Sequence, residues 1–125
     1  MLWVNNNLLK YQKFRDIFRE TFDGTFLDLS KVSPSQLANE VDSIINHHTN
    51  CCVFLGYLEP GWMLESSHQT RIRKLFRKFP VAITTHFIES LPFSWKNEID
   101  TFYTDAPLNK NGKANSVNNG SSIQE

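Results

Sequence analysis

Hydrophobic positions along the chain follow two patterns in alternation, helical spacing and short continuous runs. Between Leu8 and Phe22 the large apolar side chains recur every three or four residues, which is the spacing of an amphipathic helix. Asp23-Gly24 then favours the end of this helix, because glycine is common just past a helix end. The same spacing recurs in three further segments, which begin near Ser33, Ser66 and Ser94. We therefore predict four helices.

Three stretches between these segments have the features of strands. Residues 25–29 form a short extended run, 51–58 are almost continuously apolar, and 81–88 are rich in β-branched and aromatic side chains. A continuous apolar run is typical of a central strand covered on both faces. The order α-β-α-β-α-β-α predicts an α/β fold, a small three-layer sandwich of about three mainly parallel strands with helices on both faces.

The last part of the chain differs in composition from the rest. Residues 106–125 are mostly Asn, Ser, Gly and Lys, with few apolar side chains. Such a segment buries too little apolar surface to offset the conformational entropy lost on ordering. We predict a single α/β domain over residues 1–105 and a disordered polar tail over 106–125.

Charge and cysteine content narrow the class of protein. The 125 residues include 13 basic and 13 acidic ones, so no net charge attracts the chain to nucleic acid or to an anionic membrane. No apolar run is long enough to span a bilayer, and Asn5, Asn6 and Asn7 interrupt the stretch where a signal peptide would be apolar. Cys51 and Cys52 would point to opposite faces of a strand, which disfavours a disulfide between them. We expect a soluble intracellular protein of the cytoplasm or nucleus, without membrane association.

A cluster of cations lies on the third predicted helix. Five basic residues and no acidic one fall within residues 71–78, namely Arg71, Arg73, Lys74, Arg77 and Lys78. A basic helix suits binding to nucleic acid or to another anionic partner. On a helical wheel, however, these cations flank the apolar stripe, as they do on any solvated helix. An accessory role in nucleic-acid binding through this helix is therefore one alternative function.

Catalysis has weak support in the sequence. Glu59 follows the second predicted strand, and His86 lies near the end of the third. Open parallel sheets bind ligands at the carboxyl ends of their strands. Glu59 would carry a proton, helped by His86 or Glu89, and Trp62 would form a stacking wall. A plain Pro-Gly turn accounts for the same residues, and no nucleophile, base and orienting group emerge together. A small enzyme or ligand-binding domain is a second alternative, and the sequence favours a protein without catalysis.

The sequence predicts neither a cofactor nor a metal site. Its five glycines form no GxGxxG or GxxxxGK motif, so the common phosphate-binding loops are absent from the sequence. His47, His48, Cys51 and Cys52 are residue types that bind zinc, but their spacing matches no common zinc motif. A favourable interaction with the helix dipole accounts for the two histidines at a helix end.

Aromatic residues are numerous for a chain of this length. They make up 13% of the sequence, and any surplus left outside the core would form a patch of the kind that marks protein interfaces. The candidates for such a patch are Trp62, Phe93, Trp95 and Tyr103. The alternative is that these side chains fasten the last helix to the sheet. We predict a non-catalytic protein-interaction subunit or adaptor in a larger complex with other proteins.

Overall fold

A five-stranded parallel sheet forms the centre of the molecule. The computed structural model describes residues 1–86 and 88–103, apart from the side chains of Ile88, Phe102 and Tyr103, so the predicted tail at 106–125 lies outside the described residues. In chain order the strands are β1 (Leu2–Asn5), β2 (Thr25–Asp28), β3 (Cys51–Tyr57), β4 (Val81–Thr84) and β5 (Ile99–Tyr103). Across the sheet their order is β2-β3-β4-β1-β5, and every neighbouring pair is parallel.

Helices cover both faces of this sheet, which confirms the predicted α/β class. The described helices are α1 (Tyr11–Thr21), α2 (Pro34–His47), α3 (Pro60–Met63), α4 (Ser66–Lys78) and α5 (Phe93–Lys96), with short 3-10 turns at Leu8–Lys10 and Ile88–Ser90. Helix α1 packs on one face, while α2 and α4 pack side by side on the other. No helix within the described ranges is long and apolar enough to cross a membrane.

The predicted number of strands was wrong, because two short strands were not recognised. β1 has only four residues and is followed at once by three asparagines, so it resembles a loop in the sequence. β5 falls in the segment predicted as the last helix, where Trp95, Ile99 and Phe102 have helical spacing. The structure instead ends α5 at Lys96 and pairs Leu2 of β1 with Ile99 of β5. Pairing with a distant strand decided the conformation of this segment, and a local pattern cannot show such pairing.

Strand β3 divides the core into two halves. Cys51, Val53 and Leu55 point toward α2 and α4, whereas Cys52 and Phe54 point toward α1. All five are buried, as expected for a central strand covered on both faces. The alternation also separates the two thiols, and both cysteines are free.

The direction in which the chain crosses the sheet explains where the helices lie. From β1 the chain moves to the far edge at β2, and from β2 it returns stepwise through β3 and β4 before reaching β5. Right-handed crossovers place helices on opposite faces when the chain moves in opposite directions. This accounts for α1 on one face and for α2 and α4 on the other.

Candidate functional site

A topological switch point lies between the neighbouring strands β1 and β4. The connection that leaves β1 runs through α1 on one face, whereas the connection that leaves β4 carries Trp95 against Phe76 of α4 on the other face. Open parallel sheets bind ligands at the carboxyl ends of the strands where two connections diverge in this way. The loops after β1, β3 and β4 are therefore the place to look for a functional site.

Buried polar side chains gather at this switch point. Among the described residues four polar side chains are buried, namely Asn5, Asn7, Thr84 and Thr85. The Asn5 side-chain amide donates to the Asn7 carbonyl at 3.0 Å, and the Asn7 N–H donates to the Asn5 side-chain oxygen at 2.9 Å. The Thr85 N–H donates to the Asn5 carbonyl at 2.9 Å. These bonds replace those lost to water and hold the loops after β1 and β4 in place.

This cluster of buried polar side chains was not predicted from the sequence. Consecutive asparagines directly after an apolar run were the available signal, since their side chains bond readily to nearby backbone and favour turns. No local sequence pattern indicated that Thr84 would lie beside Asn5. The two residues are far apart in the chain and meet only through the pairing of β1 with β4.

An apolar cavity of about 220 Å³ opens beside the polar cluster, and we call it the apolar cleft. Its wall is mainly aliphatic and includes Leu58, Pro60, Met63, Leu64, Leu91 and Pro92. Gln69, Thr85 and Ser90 add polar groups to the lining. The Gln69 side chain donates to the Met63 carbonyl at 2.7 Å and so fixes the corner between α3 and α4 on one side of the cleft.

Two large hydrophobic side chains are exposed in the segments that form the cleft, one on a lining residue and one on the residue after Pro92. Leu64 lines the cavity and is 82% exposed, and Phe93, which follows the lining residue Pro92, is 81% exposed. Exposed apolar groups next to an apolar concavity are the usual mark of a binding surface. Phe93 was predicted from the sequence as an interface residue, whereas the lining residues Met63, Leu64 and Leu91 were not.

The other predicted interface residues lie in different surroundings. Trp95 is only 1% exposed and packs edge-on against Phe76 with 5.4 Å between ring centroids, so it belongs to the core. Trp62 is half-buried and stacks on His68, whose ring is 3.9 Å away and nearly parallel. Tyr103 is the last residue of β5, and its side chain lies outside the described part of the chain.

The two candidate catalytic residues lie on neighbouring loops and do not line the cleft. Glu59 is exposed just after β3, and together with Trp62 it borders a separate cavity of about 40 Å³ beside β2 and α2. His86 is exposed just after β4, and its ring meets the edge of Tyr57 at 5.5 Å. Their roles as proton carriers remain a prediction.

The basic helix is α4, and three of its five cations pair with carboxylates. Arg71 donates to Asp42 of α2 at 2.8 Å. Arg73 and Arg77 both donate to Glu98, each at 2.8 Å. Lys78 donates to the Ile45 carbonyl, and Lys74 is exposed. These contacts fasten α4 to α2 and to the segment before β5, and they lower the positive charge that this helix presents to solvent.

Glu98 gives these pairs a dependence on pH. The hydrogen bond from Arg77 has the largest influence, and with that from Arg73 it lowers the pKa of Glu98 below its ordinary value in spite of partial desolvation. A lowered carboxylate pKa stabilises the folded state above the unfolded pKa of about 4.3, and this contribution is lost as the pH falls through the folded pKa.

We therefore expect Glu98→Gln to lower the urea midpoint of unfolding modestly at neutral pH. The difference from the wild type should shrink as the pH falls below about 4.3, where the wild-type carboxylate also becomes protonated. Glu40→Gln, at an exposed position of α2, is the matched control and should change the midpoint little. A difference between wild type and Glu98→Gln that is the same at every pH would contradict this assignment.

The residues considered as metal ligands are not assembled into a site. Within the described ranges, no three His, Cys, Asp or Glu side chains come together as a metal-binding group. Burial raises the pKa of both thiols, Cys51 and Cys52, above the ordinary value, which disfavours the reactive thiolate. His47 contacts the Ser43 carbonyl at 3.0 Å within its own helix.

Comparison with known proteins gives no further guidance. No protein-family model, no curated protein and no solved structure matches the chain. The function is therefore inferred from the residues of the chain itself.

Proposed function

We propose that the chain is a protein-interaction module that holds an apolar side chain of its partner in the apolar cleft. The size of the cleft supports this choice over a site for a drug-sized ligand or a cofactor. Pockets for drug-sized ligands and cofactors span about 300–1,000 Å³, whereas a cavity of about 150 Å³ already accepts benzene. At about 220 Å³ the cleft suits one aliphatic or aromatic side chain.

The surroundings of the cleft also favour a protein partner. Binding energy in protein interfaces is concentrated in a few apolar anchors that fill pockets near the centre of the contact. Leu64 and Phe93 would extend such a contact beyond the pocket itself, because both are more than four-fifths exposed. Two hydrogen bonds hold the backbone around the cleft, from the Gln69 side chain to the Met63 carbonyl and from the Thr85 N–H to the Asn5 carbonyl, so little order would have to be gained on binding.

The two alternative functions have less support. The pairing of Arg71, Arg73 and Arg77 with carboxylates leaves less charge on α4 for phosphates than the sequence indicated. An enzyme using Glu59 and His86 has less support because neither residue lines the apolar cleft. Nucleic-acid binding and catalysis remain alternative proposals, with less support than the protein-interaction module.

The proposal also includes the cellular compartment of the chain and the kind of complex that it forms. Two free, buried cysteines suit a reducing compartment, the cytoplasm or the nucleus. A partner of different sequence, in a hetero-complex, suits a small chain whose apolar cleft is large enough to hold one side chain.

Peptide selection tests the proposed function. A random peptide library displayed on phage and panned on the immobilised full chain should enrich peptides that contain an apolar anchor. Leu64→Gln should weaken the binding of selected peptides by about tenfold or more, the scale on which hot-spot residues act. Leu9→Gln is the matched control, because Leu9 is 95% exposed but lies in the turn after β1, outside the cleft.

Two results would overturn the proposal. One is that the wild-type chain enriches no peptide over an uncoated surface. The other is that selected peptides bind the wild type and Leu64→Gln equally well. Loss of binding on Leu9→Gln but not on Leu64→Gln would also reject the cleft as the site.

A further inference from the structure

Three glutamates directly adjoin lining residues of the apolar cleft along the chain. Glu59 lies between the lining residues Leu58 and Pro60, Glu65 follows Leu64, and Glu89 precedes Ser90. All three are exposed. In the sequence, no lysine or arginine lines the cleft or directly adjoins a lining residue.

These glutamates differ from the carboxylates that hold the fold together. Asp28, Asp42 and Glu98 each form an ion pair with an arginine, at distances of 2.8 to 3.0 Å. None of the three glutamates at the cleft forms an ion pair with a described residue. No cation of the described residues therefore neutralises their negative charge, which acts on a partner that approaches this part of the surface.

We infer that the partner is a basic protein segment, in which an apolar anchor is flanked by lysine or arginine. This inference rests on the proposed function and adds the charge of the partner to it. The anchor would enter the cleft, and the flanking cations would lie near Glu59, Glu65 and Glu89. Charged groups at the rim of an interface act mainly on association rate and specificity, so the acidic rim selects among apolar segments by their flanks.

The charge pattern argues against other occupants. A fatty acid or an anionic lipid would bring a negative head group toward three glutamates. A second copy of this chain would have to present its basic helix, but Arg71, Arg73 and Arg77 of that helix are already paired with carboxylates. A basic segment of another protein meets neither objection.

The test compares three synthetic versions of one peptide selected on the wild-type chain. They share the apolar anchor and differ only in their flanks, which carry lysine, glutamine or glutamate. We expect the lysine version to bind about tenfold tighter than the glutamine version at about 0.1 M salt, since each exposed ion pair contributes modestly. The advantage should largely vanish at about 1 M salt, where the Debye length falls to about 3 Å.

A triple variant, Glu59→Gln, Glu65→Gln and Glu89→Gln, assigns the effect to the rim of the cleft. It should lose the preference for lysine flanks and keep its affinity for the glutamine version. The matched control carries Glu20→Gln, Asp23→Asn and Glu40→Gln, which changes the net charge equally at exposed positions that do not line or adjoin the cleft. This control should keep the preference.

The outcomes separate this inference from the proposed function. Equal binding of all three peptides, or the same loss of preference in both triple variants, overturns the basic partner while the cleft remains a protein-binding site. Failure of every peptide to bind overturns both. Self-association of the chain that Leu64→Gln abolishes, without any preference among the peptides, would assign the cleft to a second copy and overturn the inference.

Discussion

Trp95→Ala is expected to lower the free energy of unfolding by about 3–5 kcal/mol, as replacement of large buried aromatic residues does. Trp95 is 1% exposed, lies in the larger half of the core and meets the Phe76 ring edge-on. Its removal would leave a cavity between α4 and the segment that leads into β5. Urea denaturation followed by circular dichroism measures the loss.

The matched variant is Phe93→Ala, two residues away. Phe93 is 81% exposed, so its replacement should change stability by no more than about 0.5 kcal/mol, as at other surface positions. In the peptide assay, by contrast, Phe93→Ala should weaken binding. Two stable proteins, or two equally destabilised ones, would show that the burial of these side chains is not as described.

Gly56→Ala is expected to destabilise the fold by about 2–4 kcal/mol. Gly56 has a φ of +72°, a left-handed conformation that costs other residues about 1–2 kcal/mol. A Cβ at this position would also lie 2.6 Å from the Tyr11 hydroxyl and 2.7 Å from the Ser30 Cβ, and overpacking of this kind costs about 1–3 kcal/mol. The glycine lies where the pairing of β3 with β4 shifts register, so the local twist depends on it.

Gly61→Ala provides the control for this prediction. Gly61 lies in α3, and a Cβ there would have no neighbour within 4 Å. Alanine should leave the stability unchanged or raise it slightly, because it restricts the unfolded chain. Equal midpoints of urea unfolding for Gly56→Ala and wild type would refute the role assigned to Gly56.

The elements predicted correctly from sequence are those with a strong local pattern. The helices that became α1, α2 and α4 bury one apolar face each, and their spacing identified them. The continuous run of β3 identified it as a strand buried on both faces. The strands β1 and β5 were missed because each is short and stabilised by its neighbours across the sheet.

The candidate site was predictable only in part. Its general location at the carboxyl ends of the strands follows from a parallel sheet, which the alternation of helices and strands implies. The residues chosen there, Glu59 and His86, were selected for their chemical type, and they lie beside the cleft without lining it. The lining includes Met63, Leu64 and Leu91, which resemble ordinary core residues in the sequence. No local sequence pattern therefore identified them as the wall of a cavity.

The burial of Trp95 and the exposure of Phe93, two residues apart, could not be predicted from the sequence either. Both are large aromatic residues within three positions of Pro92, and both were predicted to lie at an interface. Their exposures of 1% and 81% differ because residues two apart lie on opposite sides of a helix, so α5 directs the Trp95 ring toward Phe76 and the Phe93 ring toward solvent.

The sequence by itself determined the α/β class, the three main helices and the central strand, because hydrophobic spacing is a local property of the chain. Tertiary structure alone decided the order of the strands, the position of the switch point and the assembly of the apolar cleft from residues 58–92. Those features depend on which distant segments pair, and the free energy of such pairing comes from contacts that no local pattern contains.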